Sequence, residues 1–417
     1  MHPPIGQFDL FDATDPAFVA DPYPTFAALR AEAPAHHHPG LGMIVALTHA
    51  DCSALLRHRD LGRLWHDVQP AEDFAAFNLL HRNSLLESEP PRHTRLRRLI
   101  SSAFARGHTE RLRPWVDRLA ERLVDDLAER IERTGSADVI EHLAAPLPVA
   151  VIAELLGVPE TDRDKLRSWS NAIVKMYEYD VDPATAAAAE TASAEFTALL
   201  RERAAGQEGI GQERVGQEGV GQDGSAGGDL IGDLVGIRDG GDALSSDELV
   251  ATAVLLLMAG HEATVNVIGN GVHALLSHPG QWRRLVDDPG LVPTAVEELI
   301  RFDSPLQLFE RTATAEVTVG GLTVRPGEKV AALLGAAARD PAVFADPDTL
   351  DVGRTPNPHL GFGAGIHYCV GAPLARVEVA AALRALIERL PGLRPAGEPR
   401  RRPEFVIRGL ADLPVTA

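Results

Sequence analysis

Gly361-Phe362-Gly363-Ala364-Gly365-Ile366-His367-Tyr368-Cys369-Val370-Gly371 decides how the rest of this 417-residue chain is read. The stretch sets a lone cysteine in a glycine-rich bend, immediately before an alanine-rich helical run from Ala372 to Leu390. Glycine tolerates positive φ and carries no side chain, so four of them let a flat group come close to the backbone. A cysteine where a helix opens has its thiolate favoured by the helix dipole and by unpaired backbone N–H groups. Such a sulfur is suited to hold a metal as an anion. The ordinary alternative is a buried structural cysteine, and the offsets of the glycines, Phe362 and His367 argue against it here.

Composition narrows the classes. Forty lysines and arginines against 59 acidic residues give a net charge of −19, which argues against nucleic acid as a partner. A hydrophobic share of 45% fits a packed globular protein. The only cysteines are Cys52 and Cys369; so few suit a reducing cytoplasm, and a disulfide between them would remove the anionic sulfur from the loop. Met1 to Asp9 has no basic segment followed by an apolar core, so no signal peptide is expected. The most apolar window, Ala251 to Gly260, is flanked by Asp247, Glu248, His261 and Glu262 and reads as too short for a membrane span.

Along the chain, residues 22–32 read as a short helix. The run His36-His37-His38 reads as an exposed loop or a metal trap. Met43 to Leu47 reads as a strand, and Thr48 to Arg57 as a helix that includes Cys52. Leu61 to Pro91 mixes apolar and polar residues like a long adaptable loop. Pro90-Pro91-Arg92-His93-Thr94-Arg95-Leu96-Arg97-Arg98 starts a helix on which His93 and Arg97 share a face. Helical periodicity returns over 111–133, 145–156 and, as two helices joined around Asp180-Val181-Asp182-Pro183, over 161–204. Residues 206–228 contain a five-residue Gly-Gln-Glu repeat without the apolar content for a core, expected as a low-complexity flexible loop insertion. Ser245 and Glu248 form a capping box for what reads as the longest helix, to about Ser277 and roughly 45–50 Å long. Another helix, from Pro293 to Phe302, carries Glu298 and Arg301; Val317 to Val324 is a hairpin and Lys329 to Leu334 a strand. The class is therefore mainly α with a minor β part.

Three further segments bear on the cysteine loop. One is Glu298-Leu299-Ile300-Arg301, followed by Arg339-Asp340-Pro341 and Asp346-Pro347-Asp348-Thr349-Leu350-Asp351-Val352-Gly353-Arg354. Another is the set of cations His93, Arg97, Arg311 and His367. The third is Ala259-Gly260-His261-Glu262-Ala263-Thr264 on the long helix. Together with the loop, in this order and spacing, they resemble the cytochrome P450 family over nearly the whole chain. The resemblance implies a single domain over residues 1–417 with the P450 fold. It implies haem b between the long central helix and the cysteine-loop helix, with the Cys369 thiolate as proximal ligand of the iron.

Phe362 then packs near the thiolate, Gly363 gives the cofactor room, and His93, Arg97, Arg311 and His367 hold the propionates through charge-assisted hydrogen bonds. Glu298, Arg301 and Arg354 resemble the family's structural charge network, with Leu350 where the meander usually has phenylalanine. Gly260 leaves space for dioxygen and Glu262 supplies protons. Most relatives carry threonine at position 263; this chain has Ala263, and Thr264 lies about 100° further round the helix, so its hydroxyl is not expected to substitute. Ordered water or a substrate hydroxyl is the expected replacement.

Leu85, Leu86, Leu255, Met258, Ala259, Leu306, Leu308, Val406 and Ile407 are the expected pocket walls, from segments that include Ser304–Phe309 and Phe405–Leu410. They imply a mainly apolar organic substrate, such as a macrolide, terpenoid or peptide-derived secondary metabolite. The expected activity is monooxygenation of a C–H or C=C bond. Oxidative coupling or desaturation is the enzymatic alternative, and a haem-binding protein without turnover the alternative from another class. Electrons are expected from a ferredoxin and its NAD(P)H-dependent reductase, docking on a basic patch of Arg92, Arg95, Arg98 and Arg376. The protein is expected to be a cytoplasmic monomer.

Overall fold

A reciprocal cap starts the helix that carries the central apolar stretch. Glu248 N–H donates to Ser245 Oγ at 3.2 Å, and Ser245 N–H donates to a Glu248 carboxylate oxygen at 3.0 Å. Two N–H groups that a helix start leaves over are thereby satisfied. The helix runs Ser246–Ser277 in the computed structural model, which describes residues 10–104, 107–215, 230–236 and 242–417. Helices dominate throughout and strands are short.

By length and composition this helix is apolar enough to cross a membrane, with a mean hydropathy of 1.4 over its most apolar window. The expectation of a stretch too short to span is corrected: His261 and Glu262 interrupt it for only two residues, and apolar residues resume beyond them. However, 72% of that window is buried inside the protein, which makes it a core helix.

The chain divides into two compact units: one comprises residues up to Arg63, Val116–Leu147 and Ala263–Ala417, the other Leu64–Trp115 and Pro148–Glu262. The division falls within the central helix. In the first unit a five-stranded sheet forms. Ala35–His38 pairs antiparallel with Met43–Ala46, and that strand runs parallel to Lys329–Leu333. Lys329–Leu333 pairs antiparallel with Leu308–Ala313, and Leu61–Gly62 closes the edge. The three-histidine run is thus an edge strand rather than a loop. His36 and His38 anchor to the carbonyls of Leu29 and Phe11 at 2.8 and 3.0 Å. Among the described residues, no group of three or more His, Cys, Asp or Glu comes together to hold a bare metal ion. Cys52 lies wholly buried beneath the sheet, its S–H directed to Ala46 O at 3.2 Å. Burial raises its pKa, so it is an inert core thiol.

In the second unit the expected loop over 61–91 contains a helix, Ala75–Arg82. Its own N-cap residue, Phe74, offers no side-chain acceptor. Glu190 supplies one from more than a hundred residues away, accepting from Ala76 N and Phe77 N at 2.9 and 2.8 Å. The helix expected to end near residue 204 runs Pro183–Val215, 33 residues, one more than Ser246–Ser277. Extending an alanine-rich helix costs far less than nucleating one, so residues 206–215 continue it rather than opening a loop. Residues 216–228, the rest of the expected insertion, lie outside the described residues.

The helix Val292–Phe302 is the structural pivot of the first unit. It approaches the central helix closely: a Cβ on Gly271 would lie 2.7 Å from Leu299 Cδ1. Glu298 and Arg301 on it are both fully buried and joined by two hydrogen bonds of 2.7 Å. Arg354 Nε reaches both Glu298 oxygens at 3.2 and 3.1 Å. The remaining guanidinium N–H groups hold main-chain carbonyls, Arg301 those of Ala338, Pro347 and Thr349, and Arg354 those of Ala345, Asp346 and Thr349. One carboxylate and two arginines thus order the irregular run 338–354, with Leu350 buried beneath it. Glu298→Gln leaves two buried cations short of their counter-charge and is expected to destabilise the protein by about 3–5 kcal/mol in chemical denaturation. A loss below about 1 kcal/mol would be that of an exposed pair.

Candidate functional site

The cysteine loop owes its shape to two glycines in the left-handed region, Gly363 at φ 71° and Gly365 at φ 69°. A Cβ on Gly365 would come within 2.6 Å of Leu56 O, so the loop lies directly against the end of the helix His49–Arg57. Cys369 N–H closes the bend onto Phe362 O at 3.0 Å. Gly371 then precedes the helix Ala372–Arg389, with Pro373 in its first turn. Cys369 is only half-buried and forms no disulfide. A Cβ on Gly371 would sit 3.9 Å from the sulfur, an ordinary van der Waals contact.

A buttress behind the loop was not legible in the sequence. Glu297 accepts from Arg376 Nε at 2.6 Å and Nη2 at 2.9 Å, and from His359 Nε2 at 3.0 Å. His359 Nδ1 accepts from Gly361 N–H at 3.1 Å, which places the proton on Nε2. Arg376 also stacks over the Phe362 ring at 4.4 Å. Burial would raise the Glu297 pKa, but the hydrogen bonds from Arg376 and His359 outweigh it and bring it down to about 2. Glu297 and its partners are 62 and 79 residues apart, so no local pattern signals the set.

In the same unit Arg311 is buried on the strand Leu308–Ala313, donating to Glu310 O at 2.9 Å and lying 4.5 Å from the Phe309 ring. His367 is half-buried in the 3₁₀ turn that leads to Cys369. Leu306 and Ile407 are half-buried and face each other across an isolated bridge, whereas Leu308 and Val406 are buried. These residues fit haem. They offer a soft sulfur donor, glycines where a flat ring would meet the backbone, and a buried guanidinium of the kind that binds carboxylates.

The second unit, which ends at Glu262, holds most of the remaining candidates, and Ala263 and Thr264 open the last part of the first. His93 is buried and Arg97 half-buried on the helix Arg92–Phe104. On the central helix Glu262 is buried, with His261 Nδ1 3.7 Å from its carboxylate and 3.3 Å from Ser170 Oγ. A Cβ on Gly260 would meet Ile152 at 3.4 Å. Leu85 and Met258 are buried and Leu86 half-buried. Exposure on the central helix follows one stripe, with Leu255, Leu256 and Gly260 half-buried and Ala259 and Ala263 exposed. Steps of four residues keep such positions on one face. Ala263 lies on that stripe, while Thr264, beside it in sequence, is buried away from it.

The arginines expected to form a free basic patch carry acidic partners. Arg92 and Arg95 bind Glu248, Arg95 and Arg98 bind Asp242, and Arg376 binds Glu297. Their net positive charge is correspondingly small.

The family profile described as Cytochrome P450 matches residues 57–288 and 290–407. Cytochrome P450 monooxygenase PikC of Streptomyces venezuelae is 41% identical over 95% of this chain and 91% of its own length. Mycinamicin IV hydroxylase/epoxidase of Micromonospora griseorubida is 42% identical over 80% of each. Among solved structures, P450BioI in complex with an acyl carrier protein bearing hexadec-9Z-enoic acid superposes with a TM-score of 0.85. That match has 33% identity and covers 96% of this chain and 99% of the other. The chain belongs to the cytochrome P450 family. It is a haem-thiolate monooxygenase with the mainly helical fold of that family.

Gly365→Ala is expected to push the cysteine loop off Leu56 O and to cut haem loading, read as the ratio of Soret to protein absorbance. Gly392→Ala, where nothing lies within 4 Å of the new Cβ, serves as the control with loading unchanged.

Proposed function

We propose that this chain inserts one oxygen atom from dioxygen into a C–H or C=C bond of a mainly apolar secondary metabolite, with a macrolide-type scaffold the first to screen. The observation that carries the substrate class is the apolar accessible stripe on the central helix, Leu255, Leu256, Ala259 and Ala263. The names of two similar enzymes, a mycinamicin IV hydroxylase/epoxidase and a cytochrome P450 monooxygenase, support oxygen insertion. When bound, haem supplies the oxidising chemistry, with the cysteine sulfur pushing electron density onto the iron.

The chain's own residues divide the remaining tasks. Cys369 ligates the iron, with Phe362 beside it and Gly363 giving the ring room. Arg311 and His367, together with His93 and Arg97, donate to the two propionates. Gly260 leaves space on the central helix, and the Glu262 carboxylate passes protons on, with His261 and Ser170 next in line. Ala263 cannot donate, and the Thr264 hydroxyl is turned into the protein. Water, or a hydroxyl of the substrate, takes the position that Ala263 leaves open. Leu85, Leu86, Leu255, Met258, Ala259, Leu306, Leu308, Val406 and Ile407 wall the pocket.

Electrons come from a ferredoxin and its reductase in the cytoplasm, and the enzyme works as a monomer. Ile366 and Tyr368 flank His367 with 48% and 40% of their surface exposed. Apolar contact there takes over from the neutralised arginines in docking. Reduction by ferredoxin is accordingly expected to vary little with salt, whereas a free arginine patch would give a steep decline.

A spin-shift screen of macrolide, terpenoid and peptide-derived metabolites, with mass spectrometry of the products, tests the substrate class. Hits that gain one oxygen atom support it, while coupled or desaturated products favour the alternative chemistry. Ala263→Thr is expected to leave NADPH coupling unchanged for substrates with a nearby hydroxyl and to raise it for those without. Tight coupling in the wild type on hydroxyl-free substrates, with no ordered water beside Ala263, would contradict this account of the proton supply.

A further inference from the structure

Asp303 ends the helix Val292–Phe302, is buried, and has no role in the reading above. One carboxylate oxygen accepts from Tyr23 OH and from Arg408 Nε, each at 2.7 Å; the other accepts from Arg401 Nη2 at 3.0 Å. Arg408 also donates to the carbonyls of Val19 and Ala20. Asn270 on the central helix donates to Arg408 O at 3.1 Å and accepts from Arg401 at 3.5 Å. This hub therefore joins four separate parts of the first unit: residues 19–23, the central helix, the end of the helix Val292–Phe302, and residues 401–408.

Two of the parts it joins adjoin or contain segments assigned to the pocket wall, residues 304–309 and 405–410. Arg408 N–H donates to Pro305 O at 2.8 Å, Gln307 N–H donates to Val406 O at 3.0 Å, and Leu306 bridges Ile407. Gln307 Nε2 donates to Ser304 O at 2.7 Å and to Tyr23 OH at 3.3 Å. In this short two-chain ladder the side chains alternate. Gln307 and Arg408 are buried, while Leu306 and Ile407 stay half-buried and opposite each other. Two residues cannot hold a ladder in register against solvent by main-chain bonds alone. A buried carboxylate with directional partners can, because shifting either segment breaks charge-assisted bonds in a water-poor site.

We propose that Asp303 is a specificity-positioning residue whose carboxylate, through Arg408, Arg401 and Tyr23, sets the register of residues 304–309 against 405–410 and thereby where Leu306 and Ile407, side by side on one face of the ladder, stand in the pocket wall. The inference rests on the assignment of those segments to the substrate pocket. The cysteine loop does not depend on the hub, since Glu297 holds it through His359 and Arg376.

The haem-loaded variants Tyr23→Phe, Arg401→Gln and Asp303→Asn test this with two azole probes and amide hydrogen exchange. Imidazole needs only the iron, whereas clotrimazole fills a pocket. The hub variants should bind imidazole within about twofold of wild type and clotrimazole about tenfold more weakly. The amides of Gln307 and Arg408 should exchange about tenfold faster while those of Cys369 and Asp351 keep their protection. Should Asp303→Asn fail to fold, Tyr23→Phe and Arg401→Gln, which keep the carboxylate, decide the matter. Unchanged exchange at Gln307 and Arg408, or equal weakening of both probes, would overturn the proposal. Leu306→Ala and Ile407→Ala judge the pocket assignment separately. If neither alters clotrimazole binding, that assignment fails, and the exchange rates alone decide whether Asp303 sets the register.

Discussion

The fully buried Glu298 carboxylate and the two guanidiniums that face it are the interaction on which the first unit depends. Taking such charges out of water is costly, and their attraction offsets that cost only when every remaining donor is also satisfied. Here they are satisfied, by carbonyls of a run that forms little regular structure. The run from Ala338 to Arg354 has few backbone partners of its own, and the arginines supply them. The ion cluster therefore does more than join two side chains: it substitutes for the hydrogen bonds that a helix or strand would have provided.

Two further carboxylates, one on the same helix and one just past its end, each have a different task. Glu297 turns towards His359 and Arg376 and holds the cysteine loop and the helix behind it. Glu298 holds the meander. Asp303, just past the helix end, holds residues 19–23 and 401–408. Three acids within seven positions thus hold apart the pieces that a flat cofactor and an apolar substrate need. Because each acid is satisfied by arginine forks with several donors, each also resists rotation. A rigid frame of this kind suits a site whose chemistry belongs to its cofactor and whose protein part is position and electrostatics.

Much of this was legible because the signals are local. The glycine spacing around Cys369, the Ser245–Glu248 cap and the Glu298–Arg301 pair each fall within a few residues, and each forms as its spacing dictates. Position 263 was also readable, since one residue turns about 100° round a helix, and Thr264 is buried where Ala263 is exposed. What escaped the sequence is what depends on distant partners. The helix Ala75–Arg82 is capped by Glu190, the three histidines form an edge strand because Met43–Ala46 pairs with them, and the docking arginines meet Glu248, Asp242 and Glu297. Glu297 and Asp303 gave no signal for the same reason. An isolated acid on a helix reads as solvated surface until its partners arrive.

The function depends on the sulfur of Cys369. The measurement that tests it most directly is the carbon monoxide difference spectrum of the reduced, haem-loaded protein, wild type beside Cys369→His. Wild type should show the maximum characteristic of a thiolate ligand, and Cys369→His should lose it for the maximum of a nitrogen-ligated haem while still binding carbon monoxide. A wild-type spectrum already of the nitrogen-ligated kind, or one that Cys369→His leaves unchanged, would contradict the assignment of Cys369 and the function built upon it.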